Sequence, residues 1–324
     1  ESGFKYLWLS AVTSTVMLYG FSLLYGFSGQ TNLYHLSLAF YDAQFHDLAM
    51  LAGLLLVLVG FGFKVSIVPF HFWAPDVYEG APTPVTAFFA AAPKVAAMAL
   101  LIRVMVSAFG NVVPDWQQIL IFVAIASMAL GSFAAIGQNN IKRLLAYSSI
   151  GNMGYALVGL AAGTPEGVQG TVVYMMIYMI MTLGTFACVL AMRRRGHMVE
   201  EISDLAGLAR NNKGLAFVFA MLMFSLAGIP PLAGFFGKYF VFLAAVKSGL
   251  YLLSVIGVVT SVIGAYYYLR IVKIIYFDEP AERFDAMDGE VRLVAYASGA
   301  FTVLFVLFAN PLIELAAQAA KSLY

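Results

Sequence analysis

Along the 324 residues, apolar positions run without interruption for stretches of twenty or more, and polar or Gly/Pro-bearing segments separate them. A hydrocarbon core of about 30 Å takes roughly 20 apolar residues of helix. On that measure nine spans are predicted, near 6–27, 48–70, 83–108, 117–137, 142–163, 167–192, 214–246, 250–275 and 292–311. Barrel strands do not fit, because they would alternate apolar and polar positions over about ten residues. The expected fold class is an all-α polytopic membrane protein.

Two of the spans are interrupted. The first carries Lys64, Pro69 and the run His71-Phe72-Trp73-Ala74-Pro75 at its end. The segment 214–246 is too long for one upright crossing and contains Gly228-Ile229-Pro230-Pro231-Leu232-Ala233-Gly234. Proline removes a helical hydrogen bond and clashes with the preceding turn. Backbone freed at membrane depth is tolerated only where protein or water satisfies it. Paired interrupted helices in two parts of a chain point to a transport site built from inverted repeats.

Composition agrees with a membrane location: 62% of residues are hydrophobic and 11% charged, against about 25% charged in soluble domains. A formal net charge of +1 with no basic arm argues against a nucleic-acid partner. The lone Cys188 can build neither a disulfide frame nor a cysteine-ligated cluster. With residue 1 in the cytoplasm, the inner positions hold Lys5, Lys142, Arg143, Arg193, Arg194, Arg195, Arg210, Lys213, Arg270, Lys273, Arg283 and Arg292. The outer positions hold only Lys247 and Lys321. The positive-inside rule therefore supports nine spans and sets the orientation. The opening Glu1-Ser2-Gly3 has neither an initiator Met nor a signal-peptide pattern, so the chain is expected to begin partway through a longer protein.

Lys64, Lys94, Lys238 and Arg103 fall within the membrane segments. A lysine at mid-bilayer costs roughly 2.5–3.5 kcal/mol, whereas one near a helix end reaches the interface cheaply. The interfacial reading is strongest for Arg103. It is weakest for Lys94, about 16 Å into its helix at 1.5 Å per residue. Desolvation lowers a lysine pKa, which suits groups that take up and release protons. No Asp or Glu lies well inside a span. A modulating carboxylate is expected from a preceding part of the chain or a neighbouring subunit. His71 is a candidate relay or an interfacial anchor, while His35, His46 and His197 fall in loops. Tyr147, Ser148, Ser149, Asn152 and Tyr155 give one helix a polar stripe, more often interhelical hydrogen bonding than a proton wire. Gly151, Gly154, Gly159 and Gly163 read as packing notches. No HExxH, Walker loop, GxSxG or strand-borne GxGxxG is present, so no cofactor site is expected in this chain.

The stretch from Gly62 to Pro84, with Pro69-Phe70-His71-Phe72-Trp73-Ala74-Pro75-Asp76-Val77-Tyr78 at its heart, resembles the subunit N family of the proton-pumping NADH:quinone oxidoreductase, respiratory complex I. So do Ala92-Pro93-Lys94, Gly228-Ile229-Pro230-Pro231 through Gly237-Lys238, and the opening Glu1 to Tyr6. The mitochondrial counterpart is subunit 2. The resemblance covers essentially the whole chain, and the Ala-Pro-Lys version and Ala-rich composition favour a bacterial member.

The resemblance implies an antiporter-like fold of two inverted five-helix repeats with flanking helices. Residues 1–116 would be the last three helices of the first repeat, 117–275 the complete second repeat, and 276–324 a loop and the final transmembrane helix. Lys64 would be the broken-helix lysine of the first half-channel, Lys94 the connecting lysine, and Lys238 the broken-helix lysine of the second half. The family's glutamate on the fifth helix would fall before Glu1, which puts pumping by this piece alone in doubt. The implied function is proton translocation coupled to quinone reduction elsewhere. NADH, FMN, iron–sulfur clusters and quinone would belong to partner subunits. The implied setting is among other complex I membrane subunits in the bacterial inner (plasma) membrane, with the mitochondrial inner membrane as the alternative. The rival readings are a subunit of a multisubunit cation/proton antiporter and a non-pumping membrane scaffold.

Overall fold

A computed structural model describes residues 1–42 and 48–324. Helix α1 (Ser2–Ser28) lies beside α3 (Leu48–Val65), with α2 (Leu33–Asp42) between them in sequence. Short α4 (Trp73–Gly80) leads to α5 (Thr83–Phe109), α6 (Val113–Ile136), α7 (Ile141–Ala161) and α8 (Pro165–Leu190). A small hairpin of β1 (Arg193–Arg194) and β2 (His197–Met198), then α9 (Leu208–Asn211), precede α10 (Lys213–Ala227) and α11 (Ala233–Lys247). The chain continues as α12 (Tyr251–Phe277), α13 (Gly289–Leu304) and α14 (Ala309–Lys321).

Among the described residues, seven helical stretches are long and apolar enough to cross a membrane. One of them, 83–136, has 54 residues and divides into α5 and α6 at the 3-10 turn Gly110–Val112. The α10–α11 pair, 15 residues each, crosses only as a unit. Division and pairing together recover the nine expected crossings. Helix starts follow local chemistry. Proline occupies the first turn of α5, α6 and α8, where its missing N–H costs nothing. The Asn140 side chain accepts from the Lys142 and Arg143 amides to cap α7.

Both breaks close alike, and the first does not begin at its proline. α3 ends at Val65; Ser66 adopts φ 63°, and the Ile67 amide donates to the Gly62 carbonyl. α10 ends at Ala227; Gly228 adopts φ 91°, and the Ile229 amide donates to the Phe224 carbonyl. A left-handed residue with that hydrogen bond is a Schellman cap. In each case a cis proline, Pro69 or Pro231, stands three residues beyond the left-handed position. The final span also departs from expectation. It does not run to residue 311 but turns through Phe305–Leu307, after which α14 packs against α8 with the Gln169 side chain donating to the Ile313 carbonyl.

Burial grades the bundle from centre to rim. The membrane window of α7 is 94% buried and that of α1 only 11%, so α7 is an axis and α1 a flank. Glycine permits the closest approach: a Cβ on Gly131 of α6 would lie 2.7 Å from the Tyr147 carbonyl oxygen of α7. Gly154 and Gly159 meet neighbouring backbone equally closely, whereas Gly163 serves a left-handed turn at φ 66°. At one end, acid–base pairs tie the helix starts together. Asp76 of α4 bonds Lys5 of α1 and Arg143 of α7, both at 2.8 Å, and Lys142 bonds Glu200 at 2.6 Å. Arg194 reaches Asp204, Arg195 reaches Glu282 and Arg210 reaches Glu279. These basic residues all belong to the set assigned to the inner face from sequence.

Candidate functional site

Lys94 lies on α5 with 0% of its surface exposed. Its Nζ donates to Ser149 Oγ at 2.6 Å and stands 5.3 Å from the Tyr78 ring centre, within cation–π range. Ser149 Oγ in turn pairs with the Tyr178 hydroxyl of α8 at 2.6 Å, and Tyr178 donates to the Ala90 carbonyl one turn before Lys94. α5, α7 and α8 thereby meet around one amine.

Lys238 lies on α11, just beyond the second break. Its Nζ donates to the Ala227 carbonyl at 3.0 Å and to Ser261 Oγ of α12 at 2.7 Å. The break produces the first of these acceptors, because the last carbonyls of α10 have no further helical turn to accept from. The Tyr155 ring of α7 lies 4.7 Å from the same nitrogen. Among the described residues neither Lys94 nor Lys238 has a carboxylate partner.

The polar stripe of α7 fills the interval. Ser148 Oγ and the Tyr268 hydroxyl are 2.5 Å apart, and the Asn152 amide donates to the Ser148 carbonyl at 2.9 Å. The Tyr174 hydroxyl donates to Asn152 Oδ1 at 2.8 Å. Tyr155 reaches Thr260 of α12 at 3.5 Å. Ser148, Ser149, Asn152 and Tyr155 are all buried, and they form the interhelical hydrogen bonds that the stripe suggested. Tyr147 is only partly buried and stands outside this set.

Lys64 is placed differently. It lies before its break, as Lys238 lies after its own, so the two lysines are not equivalent across the matched caps. Lys64 is half-buried, 5.9 Å from the Phe63 ring centre, with no hydrogen bond to a described residue. Aligning the caps sets Leu226 opposite Lys64 and Asp76 opposite Lys238. His71 is buried against Phe72, and no described hydrogen bond joins it to the three lysines. Arg103 is exposed beside a cavity that Asn32, Ser107 and Asn111 also line. His35 is exposed on α2, not in a loop, His197 is exposed in the hairpin, and His46 lies outside the described residues.

Sequence reading missed Tyr174, Tyr178, Ser261 and Tyr268. Tyr174, Tyr178 and Thr182 recur every fourth residue along α8, a spacing that puts them on one helical face. That signal was available.

At the end that carries the ion pairs, Asp76 is held below the usual carboxylate range, chiefly by its hydrogen bond from Lys5 and then by the one from Arg143. Among the described residues, no group of three or more His, Cys, Asp or Glu side chains could hold a metal ion.

Residues 1–264 match the family described as NADH:quinone oxidoreductase/Mrp antiporter, TM. NADH-quinone oxidoreductase subunit N 1 of Rhizobium meliloti is 59% identical over an alignment of 325 positions that covers all of this chain and 68% of that protein. Subunit N of Azorhizobium caulinodans is 62% identical over all of this chain and 67% of its own length. The chain therefore spans about two thirds of such relatives. A chain of respiratory complex I from Thermus thermophilus superposes with TM-score 0.84 at 35% identity, covering 98% of this chain and 69% of that one. A chain of the Mrp complex from Dietzia sp. gives TM-score 0.89 at 24% identity, covering 100% and 68%, a likeness of fold alone. With identity of this order along its whole length, the chain belongs to the NADH-quinone oxidoreductase subunit N family of antiporter-like membrane proteins.

Proposed function

We propose that this chain carries protons along the buried line from Lys94 to Lys238, as a membrane subunit of an NADH:quinone oxidoreductase of the bacterial inner membrane. The observation that carries the reading is that each buried amine ends on a serine hydroxyl, and that hydroxyl and amide groups of α7 occupy the space between them. An amine in apolar surroundings loses solvation of its charged form, so it can pass between neutral and charged states without a strong acid or base. Serine and tyrosine hydroxyls both donate and accept, so a proton taken on one side can be replaced from the other.

In this reading Lys94 is the hand-over group and Lys238 serves the second half, with residues 117–275 as the complete repeat. Lys64 would serve the first half from its place two residues before the first break. His71 lies off the line. NADH, FMN, iron–sulfur clusters and quinone would be held by partner subunits, and the redox step would take place there. Identity to subunit N relatives favours this over a cation/proton antiporter, since the Mrp likeness speaks only for the fold.

Asn152→Leu tests the reading, because it removes the link between Ser148, Tyr268 and Tyr174 and leaves both lysines in place. In the assembled complex, protons moved per quinone reduced should fall while NADH-binding subunits still copurify. An unchanged proton-to-electron ratio in an intact complex would refute the line as a path.

A further inference from the structure

Between α10, α11 and α12 lies a cavity of about 530 Å³. Its walls are apolar, including Phe235, Leu243 and Val246 on α11 and Val258 and Val262 on α12. Val258 and Val262 are exposed, so the cavity opens on the flank of the bundle. Lys238 and Ser261 bring polar atoms into this lining. A lysine nitrogen makes up to three hydrogen bonds, as three donors when charged or as two donors and a lone pair when neutral. Two of Lys238's are engaged by the Ala227 carbonyl and Ser261 Oγ, and no described carboxylate pairs with it. An amine with one hydrogen-bonding position to spare, beside an apolar cavity of ligand size, asks for an acidic head on an apolar tail.

We propose that this cavity binds a long-chain carboxylic acid from the bilayer, its head on Lys238 and its chain between α11 and α12. A phospholipid is a poor fit, because its phosphate would carry a permanent charge through apolar surroundings. A carboxylic acid avoids that cost. It enters protonated and neutral, gives its proton to the lone pair of Lys238 when the amine is in its neutral form, and leaves a carboxylate paired with the new ammonium. A carboxylate there favours the charged form of the lysine. On the proton-path reading given above, bound acid therefore acts as a brake. The binding itself does not depend on that reading.

The test uses the intact complex in lipid nanodiscs, a diazirine derivative of palmitic acid as photoprobe, and mass-spectrometric mapping of labelled peptides. Labelling should concentrate on peptides from 227–246 and 258–265. Palmitic acid should compete better than methyl palmitate by about tenfold or more, the loss expected for one charge-assisted hydrogen bond. Lys238→Met should erase that preference, and Val262→Trp, which fills the cavity and keeps the amine, should reduce labelling several-fold. Equal competition by acid and ester would overturn the proposal. So would labelling spread evenly over α1 and the outer faces of other helices. Because labelling is read without proton flux, failure of the binding site and failure of the proton path are separate results.

Discussion

Replacing Lys94 by Met is the perturbation with the sharpest expected separation of effects. The side chain keeps its length and apolar packing and loses the amine. In the folded protein that amine is fully buried and, among the described residues, makes a single hydrogen bond, to Ser149. Burying a cation so sparsely partnered costs several kcal/mol. Ser149 keeps its bond to Tyr178 after the change, so the lost contact forfeits only about 1 kcal/mol. The net expectation is a complex of equal or higher stability, gaining up to about 2 kcal/mol. Proton movement should respond in the opposite direction, falling about tenfold or more, the effect typical of removing a positioned acid–base group. The assays are size-exclusion profile and thermal unfolding for assembly, NADH:quinone reductase rate for turnover, and a pH-sensitive dye inside sealed vesicles for flux. Lys94→Arg is the companion, since arginine keeps the charge and does not release its proton. A relay role predicts loss of flux in both variants, and an electrostatic role predicts recovery in Arg. Normal flux in an intact Lys94→Met complex would refute the hand-over role and the line built on it.

Two further outcomes follow from other parts of the fold. Asp76 has a folded pKa below its ordinary value, so its ion pairs add stability above the unfolded value of about 4 and lose it as pH falls through the lower folded value. Asp76→Asn should accordingly lower the unfolding temperature slightly at pH 7, with the difference vanishing in strong acid; a difference independent of pH would remove the ion pairs from the account. Gly131→Ala should destabilise the bundle by about 1–3 kcal/mol, because its Cβ meets the α7 backbone, which cannot step aside. An unfolding temperature unchanged in Gly131→Ala would show that α6 and α7 can part without cost.

The sequence by itself determined where the apolar helices lie and which basic residues gather at their ends. The length of an apolar run is set by bilayer thickness, and basic residues stand at the ends of such runs, so both are local properties of the chain. It also marked Lys94 and the stripe at Ser148, Ser149, Asn152 and Tyr155, because polar atoms inside apolar helices are costly wherever they occur. Tertiary structure decided what those atoms touch. Lys94 meets Ser149, 55 positions away, and Ser148 meets Tyr268, 120 positions away, pairings that no helical period encodes. The first break starts at Ser66 and not at Pro69, since the left-handed Ser66 and the bond from the Ile67 amide to the Gly62 carbonyl cap the helix before proline is reached. Lys64 and Lys238 look alike in sequence as lysines beside broken helices. They differ in space because one precedes its cap and the other follows, and only the latter is turned back onto the carbonyl that the break leaves free.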